Sequence, residues 1–240
     1  RGLGDVYKRQ VKALLEKSTD KLTLERFLHE ARNLASVEHP GLVPIYAVGQ
    51  EHGVHYMVMK FLDGSTLAEL IKEQGALPER TVRQILSEAC EALRALHSAG
   101  LVHRDLKPAN LMLGRDGKVT VVDLGIVQRV TDGHDAGGDT VGTPKYMAPE
   151  MLSDEEVTHL ADIYSLGVVG YHCLAGKPPF DGPTPMAILY KQAHEEPPSL
   201  TAQASGITAQ MSEVIHQALS KDQKQRQQSV QEFASQLSQE

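Results

Sequence analysis

The spacing of apolar side chains divides this chain into a strand-rich first quarter and a mostly helical remainder. From Leu24 to Val37 apolar residues recur at steps of three and four, which predicts an amphipathic helix. Residues 42–48 and 54–62 are rich in β-branched and aromatic side chains and flank a polar turn, so they predict a hairpin. A second hairpin is expected at residues 111–122, around a turn that contains Gly117.

Helical spacing resumes after the first hairpin. A short helix should be capped by Ser65 or Thr66, and a longer one should open at Leu77-Pro78-Glu79 and run to about Ser98. Residues 132–139 contain three Asp and three Gly but no large apolar side chain, so we expect a mobile loop there. Strands followed by helices predict an α+β fold.

Composition narrows the class of protein. The 240 residues are 41% hydrophobic and 23% charged, with 24 Lys plus Arg against 31 Asp plus Glu and a net charge of −7. This balance argues against nucleic acid and anionic membranes as partners. The two cysteines, Cys90 and Cys173, are far apart in apolar surroundings, which fits a reducing compartment. No secretory signal or bilayer-length apolar segment is visible, so we expect a cytoplasmic location, although a segment outside this chain could anchor the parent protein.

Three short motifs carry the chemistry. Residues 103–110 read HRDLKPAN, residues 123–125 read DLG and residues 148–150 read APE. Taken singly, each acid in them would be read as a solvated loop carboxylate. In this order and spacing they resemble the motifs of protein kinases, most closely the Hanks-type serine/threonine kinases of bacteria.

The resemblance implies a division of roles. Asp105 would orient the substrate hydroxyl, and Lys107 would approach the γ-phosphate of ATP, as in kinases that act on Ser or Thr. Asn110 and Asp123 would hold Mg²⁺, or Mn²⁺ in its place, because such cations prefer hard oxygen ligands. Phosphoryl transfer needs little more than positioning and charge compensation, which these residue types supply. Leu124 replaces the usual Phe, a substitution that another large apolar side chain can tolerate.

The same resemblance implies a nucleotide site. Lys12 and Glu30 would form the ion pair that positions the phosphates, although two unrelated surface charges remain the alternative. Met59 would be the gatekeeper, although an ordinary strand end is the alternative here. The hinge and the ribose contact would follow it, at Lys60, Phe61, Leu62 and Asp63.

Further matches concern regulation and support. Arg104 marks kinases in which a phosphorylated activation loop pairs with an arginine, with Thr131 and Thr140 as candidate acceptors. Thr143 would hydrogen-bond to the catalytic Asp and Lys. The structural matches are a packed His103, an Asp162 that holds the catalytic loop, and a buried ion pair between Glu150 and Arg226.

The match fails before Lys12. The glycine-rich loop is not recognisable, and too few residues separate Val6 from Lys12 for the expected hairpin. Residues 1–10 resemble adapter-derived read-through, so we expect an assembly scar at 1–10, a remnant of the small lobe at 11–62 and the large lobe at 63–240. The expected fold is therefore a two-lobed kinase, with a small antiparallel lobe that lacks its first two strands and a helical large lobe.

The leading hypothesis is a serine/threonine protein kinase that uses ATP and acts on protein substrates. A non-catalytic kinase-fold module that binds partners is the alternative, and a small-molecule kinase is a third possibility. The APE segment and the Gly142-Thr143-Pro144 segment count against the third, since they form a platform for protein substrates. His52 and His55 flank a turn without a third ligand, so no histidine metal site is expected. The substrate and the oligomeric state stay open.

Overall fold

The computed structural model describes residues 9–14, 35–51, 54–123, 144–153 and 156–239. The helix predicted from Leu24 falls outside these residues except for its last few positions. The loop predicted at 132–139 falls outside them entirely.

A three-stranded antiparallel sheet forms the first layer. Its strands are β1 (Arg9–Leu14), β2 (Ile45–Glu51) and β3 (Val54–Lys60), in the order β1-β3-β2. The β2–β3 pair confirms the predicted hairpin. Arg9 lies opposite Lys60 in β1, so the strand includes the last two positions of the segment interpreted as a scar. The origin of residues 1–10 stays a prediction.

A second antiparallel sheet lies close to the site. It contains β4 (Gly64–Thr66), β5 (Leu111–Gly114) and β6 (Val119–Val121), in the order β4-β5-β6. The chain before β2 joins this sheet, because Val43 N donates to Val121 O at 3.1 Å and Val121 N donates to Gly41 O at 2.8 Å. These bonds tie the first layer to the strand that leads to Asp123.

Helices make up most of the rest of the described chain. They are α1 (Leu67–Gln74), α2 (Glu79–Ser98), α3 (Leu160–Ala175), α4 (Pro185–His194), α5 (Leu200–Gln203), α6 (Ala209–Ala218) and α7 (Val230–Leu237). Short 3₁₀ turns occupy Pro108–Asn110, Pro144–Tyr146, Pro149–Leu152 and Gln223–Gln225. Of the two predicted caps for α1, Thr66 is the one used, in a reciprocal capping box with Glu69. The predicted α+β architecture is confirmed.

Helix α3 runs through the middle of the large hydrophobic core. Nearly all of its side chains are buried, so it shows no polar face. Its glycines allow close contact with α6: a Cβ on Gly167 would lie 2.8 Å from Ala218 Cβ, and one on Gly170 would lie 2.6 Å from Ile215 Cδ1. This close packing fixes the position of α3 and therefore of Asp162, which lies in its first turn.

Candidate active site

The loop that contains Asp105 has an unusual backbone. In the described part of the chain, Arg104 (φ 65°) and Asp123 (φ 52°) are the non-glycine residues with positive φ. This region is strained for most side chains and persists only where surrounding contacts impose it. Both residues belong to the motifs that the sequence singled out.

Asp162 supplies those contacts for Arg104. Its carboxylate accepts the backbone N–H of His103 at 2.8 Å and that of Arg104 at 2.9 Å, and His97 Nε2 lies 2.8 Å from Oδ2. Burial alone would raise the pKa of Asp162, but the hydrogen bonds that it accepts from His97 and from the backbone amide of His103 hold that pKa below its usual value. The structure therefore places an ionised, fully buried carboxylate beneath the loop.

His103 connects the loop to the end of β6. Its Nδ1 accepts the N–H of Asp105 at 3.2 Å, and its Nε2 lies 3.2 Å from the carbonyl oxygen of Val122. Burial lowers the pKa of His103, despite the opposing influence of Asp162 and its neighbours. A neutral ring with its proton on Nε2 satisfies both bonds. The ring thereby fixes Asp105 relative to the residue just before Asp123.

Asp105 lies at the centre of a compact polar cluster. Its Oδ2 is 2.8 Å from Lys107 Nζ and accepts Asn110 Nδ2 at 3.0 Å, and its backbone oxygen accepts the same amide at 2.8 Å. Its Oδ1 is buried without a hydrogen-bond partner among the residues that the structure describes. A buried carboxylate oxygen normally has a partner, so this atom is available to accept a proton donor such as a hydroxyl.

Asn110 and Asp123 are close in space. The backbone N–H of Val122 donates to Asn110 O at 2.9 Å, which brings the following residue, Asp123, alongside Asn110. Asn110 uses its amide nitrogen for Asp105, so its amide oxygen takes no part in those contacts. An amide oxygen and a carboxylate are the donors that Mg²⁺ prefers, so the residues present fit a divalent cation held with phosphate and water.

The predicted hinge begins at the end of β3, the central strand of the first sheet. Met59 is buried with Val43 and Met57, and Leu62 packs against that cluster. Lys60 N donates to Pro44 O at 2.9 Å, so this amide is already engaged. The Asp63 carboxylate lies 3.2 Å from Arg115 Nε in an exposed ion pair, and Phe61 is largely exposed. Contacts of these residues with a nucleotide stay predictions.

Glu150 and Arg226 form a bidentate ion pair in the core. The two nitrogen–oxygen distances are 2.6 and 2.8 Å, and both side chains are almost fully buried. Arg226 also donates to the carbonyl oxygens of Ser220 and Leu160, at 2.8 and 3.0 Å. The ion pair joins the APE segment to the last third of the chain, which makes it an architectural one.

The turn at Pro144–Tyr146 is anchored to α3 and α4. Ser165 Oγ donates to Tyr146 O at 2.8 Å, Gln192 Nε2 donates to Lys145 O, and the Tyr146 hydroxyl lies 2.8 Å from His172 Nδ1. Burial, with a smaller effect from Lys145, lowers the pKa of His172 to about 4, so the neutral ring accepts the Tyr146 proton. The turn therefore has a defined position next to Lys107.

Several predicted residues fall outside the described structure. Glu30, Thr131, Thr140 and Thr143 are among them. Lys12 lies in β1 opposite Met57, but its side chain is not among those described. The Lys12–Glu30 pair, the activation-loop acceptors and the Thr143 contact therefore stay predictions.

Other functional contacts escaped sequence reasoning. Three of them join residues that lie 26 to 65 positions apart in the chain. They are the contacts of His97 with Asp162, of Tyr146 with His172 and of Gln192 with Lys145 O. No local pattern links such positions. Both cysteines are buried free thiols, and the residues with described coordinates include no cluster of three His, Cys, Asp or Glu side chains suited to a metal. Among the described helices, none has the length and hydropathy needed to cross a membrane.

A two-lobed α+β fold with this loop geometry defines a protein kinase catalytic domain. The protein kinase domain family matches residues 6–237, and the chain belongs to that family. It is 34% identical over 219 residues to the serine/threonine-protein kinase PknB of Mycobacterium tuberculosis, covering 88% of this chain and 35% of that protein. It is 39% identical over 216 residues to a probable serine/threonine-protein kinase of Streptomyces coelicolor, SCO3848, covering 87% and 32%. The chain spans about a third of the length of these curated relatives.

Proposed function

We propose that this chain is the catalytic domain of a serine/threonine protein kinase, which transfers the γ-phosphoryl group of ATP to protein hydroxyls. The observation that carries the proposal is the Asp105 cluster. One carboxylate oxygen is held by Lys107 and Asn110, and the other is buried without a partner among the described residues. An acceptor hydroxyl is the group that would complete it.

Each side chain of the cluster has a distinct role in this reaction. Asp105 orients the acceptor hydroxyl and takes its proton, and the Lys107 ammonium offsets charge on the phosphoryl oxygens. Asn110 and Asp123 hold Mg²⁺, or Mn²⁺. A cation held by these two residues would offset the negative charge of the phosphates. Lys12 and Glu30 position the nucleotide, whose base meets the hinge after Met59.

Regulation is proposed to act through Arg104. Its Nε is buried without a hydrogen-bond partner in the part of the chain with described coordinates. A phosphate on Thr131 or Thr140 would supply the missing acceptor, with a charge of about −1.5 to −2. Mass spectrometry of autophosphorylated protein should find phosphate on one of these threonines. A fully active protein without modification there would contradict this part of the proposal.

The Asp105→Asn variant tests the catalytic assignment. Transfer from Mg-ATP to a Thr-containing peptide should be lost, while binding of a fluorescent nucleotide stays nearly unchanged, because Asp105 does not hold ATP. In Asp123→Asn, Mg-ATP should bind much more weakly and Mg-free adenosine as before. Transfer by Asp105→Asn at the wild-type rate would refute the role of Asp105. A wild-type chain that binds Mg-ATP but phosphorylates no peptide would favour the non-catalytic module instead.

A further inference from the structure

A cavity of about 600 Å³ opens beside the catalytic loop. Lys107 lines one side, Ala68 and Ile71 of α1 line another, and Tyr146 lines a third. Because Lys107 Nζ lies 2.8 Å from Asp105 Oδ2, an occupant of this cavity would be next to the acceptor hydroxyl. The cavity is large enough for several side chains of a bound peptide.

Apart from Tyr146, whose hydroxyl stays protonated because burial raises its pKa, the ionisable side chains that line the cavity are basic. They are Lys72, Lys107 and His172, and no Asp or Glu is among its described lining residues. His172 is neutral at pH 7, since burial lowers its pKa to about 4. The charge of Lys107 is balanced by Asp105 at 2.8 Å. Lys72 therefore supplies a positive charge that no ion pair among the described residues neutralises, although it interacts electrostatically with Glu69, one turn earlier on α1.

The position of Lys72 suits a binding role. It is exposed in the last turn of α1, and no carboxylate of the described residues lies within 4.0 Å of its ammonium group. Ala68 and Ile71 are on the same helix and supply an apolar wall for the stem of a ligand side chain. An apolar wall and a cationic rim together match an acidic side chain and disfavour a basic one.

We propose that this cavity selects an acidic side chain near the Ser or Thr of the protein substrate, with Lys72 as the specificity-determining residue. The inference rests on the proposed function, because the occupant is a segment of the phosphorylated protein. Lys72 acts on peptide binding and takes no part in phosphoryl transfer. Its effect should therefore appear in Kd and KM rather than in kcat.

The experiment measures binding of fluorescent peptides by anisotropy, without ATP. Each peptide carries one Thr in an uncharged host, with a single Glu or a single Lys at one of the three positions on either side. At one position the Glu peptide should bind about fivefold more tightly than the Lys peptide, as expected for one solvent-accessible ion pair. Lys72→Gln should remove this preference, Lys72→Glu should reverse it and Lys72→Arg should retain it.

Lys118→Glu is the matched control, because Lys118 is exposed in the β5–β6 turn and does not line the cavity. It changes the net charge by the same amount and should leave the preference intact. Equal binding of Glu and Lys peptides at every position would overturn the inference. So would a preference that persists in Lys72→Gln or disappears in Lys118→Glu.

Peptide phosphorylation with Mg-ATP separates this inference from the proposed function. A chain that binds acidic peptides through Lys72 but phosphorylates none would refute the kinase activity and leave the acidic-peptide site. A chain that phosphorylates Glu and Lys peptides with the same KM would support the activity and refute the selectivity.

Discussion

Replacement of Asp162 by Asn should release the catalytic loop from α3. The carboxylate has two acceptor oxygens, one facing the amide of Arg104 and the other facing the amide of His103 and the ring of His97. An Asn side chain offers one acceptor oxygen and one NH₂ group. At least one of the three groups that now donate to Asp162, the His97 ring and the two backbone amides, would then face the NH₂ group of Asn in a fully buried site.

The expected loss of stability follows from these bonds. A buried donor left unsatisfied costs about 1–3 kcal/mol, and the remaining bonds weaken by roughly 1 kcal/mol because the acceptor is no longer charged. The Asn variant no longer buries a charge, which recovers part of this loss, so we expect a net destabilisation of about 2 kcal/mol. For a domain of this size that corresponds to a fall in Tm of roughly 4–8 °C.

Urea unfolding at pH 7.5 measures the free energy, and hydrogen exchange reports protection of the His103 and Arg104 amides. Asp116→Asn is the control, because its carboxylate accepts Lys118 N in an exposed turn that Asn also suits. The control should change stability by less than about 0.5 kcal/mol.

The pH dependence gives the prediction a second readout. The folded pKa of Asp162 is lowered, so its contribution is present above the unfolded pKa and is lost as pH falls through the folded value. The difference between wild type and Asp162→Asn should therefore shrink in acid. An Asn variant with wild-type stability and protected amides would refute this account of the loop.

Three further changes test the packing around the site. The pKa of His172 is lowered to about 4, so the unfolded chain binds more protons than the folded one between pH 6.5 and 4. The free energy of unfolding should therefore fall as the pH drops from 6.5 to 4. Urea unfolding should show that His172→Gln recovers only about 1–2 kcal/mol of this loss, because the ring is partly exposed. Glu150→Gln leaves the Arg226 charge unpaired in the core and should cost about 3–5 kcal/mol of unfolding free energy. Gly170→Ala places a Cβ 2.6 Å from Ile215 Cδ1 and should lower stability by about 1–3 kcal/mol in thermal unfolding.

Each of these three changes has a result that would count against it. If the free energy of unfolding depends on pH in His172→Gln as it does in wild type, a group other than His172 causes the dependence. For the buried pair, Arg94→Gln breaks an exposed ion pair with Glu91 and should cost less than about 1 kcal/mol, so equal losses in the two variants would argue against a special role for burial. Wild-type stability in Gly170→Ala would mean that the Ile215 side chain can turn away from the added methyl group at little cost.

The sequence by itself determined the local elements and the chemistry. Helix α2 was predicted to open at Leu77-Pro78-Glu79 and to run to about Ser98, and it spans Glu79–Ser98, because a 3.6-residue period and an N-terminal Pro are local signals. The β2–β3 and β5–β6 hairpins followed for the same reason, since each turn lies between its strands. Asp105, Lys107 and Asn110 lie within six residues, so their proximity was also a local property.

The resemblance to kinases, rather than any pattern of residues, predicted the long-range partners. Glu150 and Arg226 are 76 positions apart, and nothing in the spacing of charges links them. The same holds for Asp162 and the backbone amide of Arg104, 58 positions away. A motif match carries such contacts over from relatives, but it assigns them no geometry.

Only the tertiary structure decided which groups are buried, how they ionise and where empty space remains. The pKa of His172 is low because packing removes water from its ring, and the sequence does not record that packing. The cavity beside Lys107 exists because α1, the catalytic loop and the turn at Pro144–Tyr146 meet there. Lys72 can select a peptide side chain only because the fold places it beside this cavity. The sequence does not give the distance between α1 and the catalytic loop, which are far apart in the chain.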